Sequence, residues 1–318
     1  MCDRGNLAKS GEVDVPRIGK SAIPYRSVSR RPMAYPPARF TLGIIVTLAA
    51  FGCFSPNRPC IGQEADGEGR RDSWARFMPG DWKSVNVTTQ SFDARGNLTS
   101  TSTTRTKTTV TGIEESAVCL QIEVEVEVAG KTFKNPPQLT KQGFTGEPVS
   151  RDVQVHAMKP VELVINERVI PCRVEKREYD TPEGHTTVFI YRSDEIAPYV
   201  LQREAITTKP DSDAVVSKTT MKVIALDMPS KVMTEIKPTA IIRIVEERPT
   251  GKTVTIAYSC EDVPGGTVWQ SSKEVNKDGL LVRRSLLDLV DYGTNGEPEA
   301  VRLFPRLRGG RVFRRPAP

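Results

Sequence analysis

Strict alternation of apolar and polar residues is the feature that most limits the fold of this chain. In residues 120–128 the odd-numbered positions are a glutamine and three glutamates. The even-numbered positions are all aliphatic: Leu120, Ile122, Val124, Val126 and Val128. A period of two over nine residues predicts a half-buried β-strand, with the aliphatic side chains in a core and the others in water. By the same alternation, Cys119 is expected on the wet or secondary face with Gln121.

Ten further segments favour strands because they are rich in β-branched or aromatic residues and end at glycine, proline, asparagine or aspartate. They are Trp82–Phe92, Thr99–Thr111, Arg173–Tyr179, His185–Arg192, Tyr199–Thr208, Ala214–Asp227, Thr239–Glu246, Thr253–Ser259, Thr267–Val275 and Leu280–Asp291. Short connections between neighbouring strands imply hairpins. The predicted fold class is therefore mainly β: a twisted or curved antiparallel sheet built from serial hairpins, as a half-barrel or a sandwich, with few helices outside the signal segment.

Two stretches of the chain echo each other at an offset of 67 residues. Residues 184–196 align with residues 251–263 through a shared glycine, threonine and tyrosine, and an acidic pair lies near the end of each. A proline and two further strands follow in both cases, so the echoing units are 184–227 and 251–291. Duplication of a strand–turn–strand–hairpin–strand unit is one explanation, and hairpins of similar length are the other.

The basic residues are concentrated at the two ends. Residues 1–62 hold nine basic and three acidic side chains, and residues 300–318 hold six arginines and no acid. The net charge of +6 therefore does not describe residues 63–299, which carry −6. A body of that charge argues against a nucleic-acid partner.

An export signal is predicted inside the N-terminal leader, residues 1–62. Residues 40–54 are fifteen uncharged, mostly apolar residues, and Arg30, Arg31 and Arg39 precede them. A positive flank before a short apolar run is typical of a secretory signal, and small residues at 60–62 suit cleavage after Gly62. An uncleaved membrane anchor through residues 40–54 and lipid modification of Cys53 remain alternatives, and Met33 is an alternative start.

After the leader, the predicted organisation is a linker at 63–79, a β-rich domain at 80–299 and a disordered basic tail at 300–318. The opening Gly80-Asp81-Trp82 strand and the Tyr191-Arg-Ser-Asp-Glu-Ile196 turn resemble exported bacterial β-rich proteins of unknown function. The serial hairpins are also similar to lipoprotein-carrier half-barrels. That second resemblance implies an apolar ligand, such as an acyl chain, on a concave face.

No residue is nominated as catalytic, cofactor-binding or metal-binding, and no cofactor is expected. His156 lies in a loop-like stretch and His185 at a hairpin, and neither has an acidic partner that the sequence identifies. The acidic pairs Asp194-Glu195 and Glu261-Asp262 could bind Ca²⁺, but acids that cap a single helical turn and face water are the preferred interpretation. The sequence contains no Gly-x-Ser-x-Gly elbow and no His-Glu-x-x-His pair.

Three cysteines follow the leader: Cys119, Cys172 and Cys260. One disulfide with one thiol, or three buried thiols, are both allowed, and no Cys-x-x-Cys pair points to zinc. The predicted function is an exported, non-catalytic binding or scaffolding module of the cell envelope, whose partner is an apolar ligand or an envelope component. The arginines of 302–315 suggest contact with a membrane surface or cell-wall polymer. A carboxylate-dependent enzyme and a protein-interaction module are the alternatives.

Overall fold

The computed structural model describes residues 73–114, 117–144 and 152–294. The apolar run at 40–54, the cleavage site after Gly62 and the arginine tail at 302–315 lie outside the described residues. Within the described ranges, no helix is long and apolar enough to cross a membrane.

The described ranges form fifteen β-strands and contain no helix. The strands are β1 Trp82–Phe92, β2 Leu98–Ile113, β3 Ala117–Val128, β4 Lys131–Lys134, β5 Gln138–Gly143, β6 Gln154–Ala157, β7 Val161–Ile165, β8 Arg168–Thr181, β9 Gly184–Arg192, β10 Val200–Thr208, β11 Val215–Val232, β12 Glu235–Arg248, β13 Gly251–Ser259, β14 Thr267–Asn276 and β15 Leu281–Gly293.

All fifteen strands belong to one sheet, and all the strand pairs are antiparallel. The order is β4-β3-β2-β1-β15-β14-β13-β12-β11-β10-β9-β8-β6, with β5 paired to β3 and β7 paired to β8. Most neighbours are consecutive in the chain, as serial hairpins require, and β1 joins β15 in the middle of the order. The predicted fold class is thus confirmed, and the strands form a single open sheet rather than two separate ones.

Most predicted strands lie close to their predicted positions. β1 has the predicted bounds, and the strands β8 to β15 overlap the eight segments predicted for them. β11 does not end at Asp227, as predicted, but continues through an irregularity between Ala225 and Met228 to Val232. Both echoing stretches form strand, turn, strand, hairpin and strand.

One face of the sheet is buried, and hydroxyl groups occupy much of it. In β9 the buried residues alternate over its whole length, from Gly184 to Arg192. Where buried hydroxyls are register partners they bond to each other: Thr186 to Thr207 at 3.0 Å, and Thr255 to Ser272 at 2.7 Å. These cross-strand bonds offset the cost of removing the hydroxyl groups from water. β-Branched threonine suits a strand. The Thr186 and Thr255 hydroxyls are satisfied here without a ligand, whereas the buried Thr106 hydroxyl has no partner among the described residues.

β3, the strand with the clearest sequence pattern, forms as predicted but is buried unevenly. Leu120 and Val126 are buried, whereas Ile122, Val124 and Val128 are half-buried. The prediction that Cys119 faces water is wrong, since its exposed fraction is 3%. β3 begins beneath a core cluster of Trp74, Ala75, Val110, Ile113, Val118, Leu120 and Phe144. Val118 and Leu120 of this cluster lie on the aliphatic face of β3, and the burial of Cys119 on the other face is a feature that the alternation of β3 cannot show.

The turn before β1 is packed against the sheet, although the sequence assigned residues 63–79 to a linker. Trp74 and Ala75 are buried, and the amide of Gly265 donates to the Ser73 carbonyl at 2.7 Å. The Trp74 ring also covers Lys83 of β1, whose Nζ lies 5.0 Å from the ring centroid. Burial lowers the pKa of Lys83 from 10.5 to about 7. We call residues 73–79 the N-terminal strap.

We expect Gly265→Ala to destabilise the domain by about 3 kcal/mol, because it separates the strap from the sheet. A Cβ at Gly265 would lie 2.3 Å from the Trp74 ring, at a φ of +70°. Gly279→Ala is the matched control, since its φ of +79° is similar and nothing lies within 4 Å of its Cβ position. Its free energy of unfolding should fall by only about 1 kcal/mol, because alanine is strained in the left-handed backbone conformation. Urea titrations measure both variants, and equal losses would show that the strap is not tightly packed.

Candidate functional site

The two acidic proline turns of the echoing stretches line one cleft at an end of the sheet. The β9–β10 turn contributes Ala197, Pro198 and Tyr199, and the β13–β14 turn contributes Cys260, Glu261, Val263 and Gly266. Leu226, Asp227 and Ala240 of β11 and β12, together with Arg76 of the strap, complete much of the remaining wall. The cleft has a volume of about 90 Å³. The sequence singled out both turns but gave no sign that they meet.

Glu261 connects three of these elements at the cleft. Arg76 Nη1 donates to Glu261 Oε1 at 2.5 Å, and the Tyr199 hydroxyl donates to the same oxygen at 2.8 Å. The Arg76 guanidinium belongs to the strap and Tyr199 to the β9–β10 turn. The carboxylate therefore holds the strap and both turns together, which is a structural role.

The other carboxylates around the cleft are paired with basic side chains as well. Asp194 accepts from Arg173, Asp227 accepts from Arg168 at 3.0 Å, and Asp262 accepts from Lys237 at 2.9 Å. The hydrogen bond to Asp262 raises the pKa of Lys237 above its ordinary value. In the described residues, no group of three or more histidine, cysteine or carboxylate side chains could hold a metal ion. All four acids of the two turns are exposed, as the sequence predicted, but no helical turn forms there, and Asp194, Glu261 and Asp262 each pair with a basic side chain.

The cleft lacks the arrangement that nucleophilic catalysis needs. Cys260 is buried in its wall, and burial raises the pKa of its thiol, so the thiol is protonated at neutral pH. A cysteine nucleophile needs a neighbouring base, which is most often a histidine. Among the described residues that line the cleft there is no histidine.

Both histidines lie elsewhere, beside one carboxylate. His156 is in β6, not in a loop as predicted, and its Nε2 lies 3.8 Å from Glu178. His185 Nε2 lies 3.8 Å from the other oxygen of Glu178, and its Nδ1 lies 2.9 Å from Asp180. The hydrogen bond from Lys176 is the main reason that the pKa of Glu178 is below its ordinary value.

The histidines therefore have the acidic partners that the sequence did not reveal. The strand register explains the arrangement, because β8 lies between β6, which contains His156, and β9, which contains His185. On β8, Glu178 lies opposite Thr187 of β9 and two residues from Lys176, the register partner of His156. Both imidazole rings are exposed, and this surface cluster gives no enclosed site for a substrate.

The cysteines differ from both arrangements that the sequence allowed. Cys119 is disulfide-bonded, and its partner lies outside the described residues. Cys172 and Cys260 are buried free thiols. Burial raises the pKa of the Cys172 thiol as it does that of Cys260.

A second feature is the exposed strip at one edge of the sheet, residues 154–165, which we call the edge segment. It comprises β6, three connecting residues and β7, and both strands pair with β8 on the same side. Large apolar side chains project from it into solvent at every third position, with exposed fractions of 53% for Val155, 46% for Met158, 38% for Val161 and 68% for Val164. A spacing of three matches neither helix nor strand, and Pro160 interrupts it, so the sequence gave no strand prediction here.

The opposite edge of the sheet has different chemistry. β4 is also fully exposed, but two of its four residues are Lys131 and Lys134. Lysines on an edge strand discourage another strand from pairing with it. β6 reads Gln-Val-His-Ala and contains no permanently charged residue. Of these two edges, the edge segment is therefore the one that is open to a partner.

Comparison with solved structures finds weak similarity. A protein described as exported, with a YmcC-like fold, from Bacteroides fragilis shares 12% identity at a TM-score of 0.28, over 68% of this chain and 99% of that chain. A lipoprotein from Parabacteroides distasonis shares 12% identity at a TM-score of 0.25, over 68% and 98% of the two chains. TM-scores this low carry no argument about this chain. No protein-family model matches it, and no curated protein does.

Proposed function

We propose that this protein is an exported, non-catalytic β-sheet module of the cell envelope that binds a partner protein through its edge segment. The observation that carries the proposal is the set of exposed apolar side chains on a sheet edge that no further described strand covers, and whose β6 stretch carries no permanent charge. Several exposed apolar side chains beside an open strand edge are typical of an interaction site. The wall of the cleft, in contrast, is held by ion pairs within the chain.

Two features support an extracytoplasmic location. The sequence has an arginine-flanked apolar run at 40–54, and Cys119 is disulfide-bonded. Disulfides persist in oxidising compartments and are rare in the cytosol. The two features fit together when the leader stays attached, as in the membrane-anchored alternative, because the cysteines outside the described residues, Cys2, Cys53 and Cys60, all precede Gly62.

A partner protein fits the structure better than an apolar small molecule or lipid. Sites for drug-sized ligands occupy roughly 300–1,000 Å³, whereas the cleft has about 90 Å³. The buried face of the sheet carries hydroxyl groups at Thr104, Thr106, Thr186 and Thr255, so it is a poorer surface for an acyl chain than an aliphatic face would be. We therefore prefer the interaction module to the lipid carrier.

The arginine tail supports a second contact with the envelope. Six arginines without an acid in residues 300–318 would attract anionic lipid or cell-wall polymer. Such a contact would hold the domain near a surface and leave the edge segment free for the partner.

Position-specific photo-cross-linking in intact cells of the native host tests the proposal. A benzophenone amino acid is placed at Val155 or Val164 of the edge segment, or at Phe133 or Leu139 near the opposite edge, which are about equally exposed. We expect positions 155 and 164 to cross-link to the same polypeptide, and positions 133 and 139 not to do so. Equal cross-linking at all four positions, or none at 155 and 164, would refute an edge-specific partner.

A further inference from the structure

The backbone of the edge segment has hydrogen-bonding groups that face away from β8. Met158 donates its amide to the Val174 carbonyl at 2.8 Å, so Met158 faces β8. In an antiparallel pair the residues facing the partner strand alternate with residues facing away from it. The amide and carbonyl groups of Val155 and Ala157 therefore point outward, and no described residue is bonded to them.

The same reasoning extends to β7. Its hairpin with β8 has a two-residue turn, Asn166-Glu167, in which both φ angles are positive. In such a hairpin the residues flanking the turn, Ile165 and Arg168, form a hydrogen-bonded pair. Counting back by twos, Glu162 and Val164 face outward. The edge segment thus has two outward-facing stretches, 155–157 and 162–164.

We propose, building on the function proposed above, that the partner binds as an extended polypeptide strand that adds to the sheet along the edge segment. Main-chain groups of the incoming strand would pair with Val155 and Ala157 and then with Glu162 and Val164. Lys159 and Glu162 have opposite charges, so a matching strand carries an acidic and a basic residue at the corresponding positions. The remaining positions of that strand are neutral, with apolar side chains against Val155 and Val164.

A second copy of this chain fits the edge less well than a flexible strand does. Pro160 separates β6 from β7, so a rigid copy related by a two-fold axis could pair along one of them but not along both. β6 has four residues and β7 has five. So short a pairing falls well below the roughly 1,000 Å² that a stable protein interface buries. A flexible incoming strand can bend where it passes Pro160 and so pair with both β6 and β7.

The test measures binding of a fluorescein-labelled peptide of twelve alternating threonine and valine residues, in which one glutamate and one lysine are placed to face Lys159 and Glu162. Ala157→Pro removes one outward amide and leaves the bonds to β8 intact, and Ala157→Ser is the matched control that keeps the amide. We expect the full chain and Ala157→Ser to bind the peptide, and Ala157→Pro to bind it about tenfold more weakly. A peptide with proline at alternate positions should not bind.

Equal binding by Ala157→Pro and Ala157→Ser, equal binding of the proline peptide, or no binding by the full chain would each overturn strand addition. If Ala157→Pro fails to fold, binding of the threonine–valine peptide and of the proline peptide to the unmodified chain still tests strand addition. A concentration-dependent dimer in sedimentation velocity, lost in Ala157→Pro, would show that the occupant is a second copy. Cross-linking at positions 155 and 164 that persists in Ala157→Pro would leave the proposed function standing and remove only this mode of binding.

Discussion

Lys83→Met should raise the free energy of unfolding at pH 6 by about 3 kcal/mol. Lys83 is buried, and in the folded state its pKa falls from 10.5 to about 7. Each unit of pKa difference corresponds to roughly 1.4 kcal/mol between the protonation states, so keeping this amine in the core costs several kcal/mol. Methionine fills similar space beneath Trp74 without a charge, and loses a contact of 3.4 Å with the Thr267 carbonyl.

The gain should depend on pH in a defined direction. Because the pKa of Lys83 is lower in the folded state than in the unfolded state, the folded chain binds this proton less readily. The cost is absent above pH 10.5, grows as the pH falls from 10.5 to 7, and stays constant below pH 7. The difference between Lys83→Met and the unmodified protein should therefore be largest at pH 6 and small at pH 10.

Urea titrations of both proteins at pH 6 and pH 10 measure this difference. Lys107→Met is the matched control, because Lys107 lies over the Trp82 ring at 4.6 Å but is only half-buried. It should change stability by about 1 kcal/mol or less. If Lys83→Met lowers the free energy of unfolding at pH 6, or changes it equally at both pH values, then Lys83 is not a buried amine with a lowered pKa.

Val118→Asp should unfold the domain. Val118 is fully buried at the start of β3, within the cluster that includes Trp74 and Phe144. The described members of that cluster are all apolar, so burial of a carboxylate among them costs several kcal/mol, against a total stability of roughly 5–15 kcal/mol for an ordinary domain. Far-ultraviolet circular dichroism and near-ultraviolet tryptophan signals would both lose their native form.

Glu127→Lys is the control on the same strand. Glu127 is exposed, and we expect its replacement to change stability by about 0.5 kcal/mol or less. Val124→Asp should fall between the two, since Val124 is half-buried. A larger loss for Glu127→Lys than for Val118→Asp would mean that the faces of β3 are assigned the wrong way round.

Local sequence predicted much of the sheet because strand signals are local. Alternation in residues 120–128, and turn residues such as Asp93–Gly96 and Asn276–Gly279, depend on neighbouring residues alone. Each of those two turns includes a glycine at positive φ, as such turns require. Pairing of consecutive strands then follows from the short connections between them. Duplication of the echoing stretches stays an inference, since a common strand order does not establish it.

The structure adds what depends on distant parts of the chain. The partners of Glu261 are Arg76, 185 residues away, and Tyr199, 62 residues away. No local pattern shows such pairs, and the meeting of both histidines at Glu178 is of the same kind. Strands β4 to β7 were missed because they are short and exposed and therefore lack a buried alternating face. The proposed binding surface lies among those missed strands.

The yield of the photo-cross-link from position 164 in intact cells, compared across three variants, tests most directly whether the partner adds as a strand to the edge segment rather than binding at the cleft or the histidines. The variants are Ala157→Pro at the edge, Tyr199→Phe at the cleft, and the double change His156→Gln with His185→Gln. Our account predicts that the yield falls about tenfold in Ala157→Pro and stays within about twofold in the other two. A yield that Tyr199→Phe or the histidine changes abolish, and that Ala157→Pro leaves intact, would contradict it.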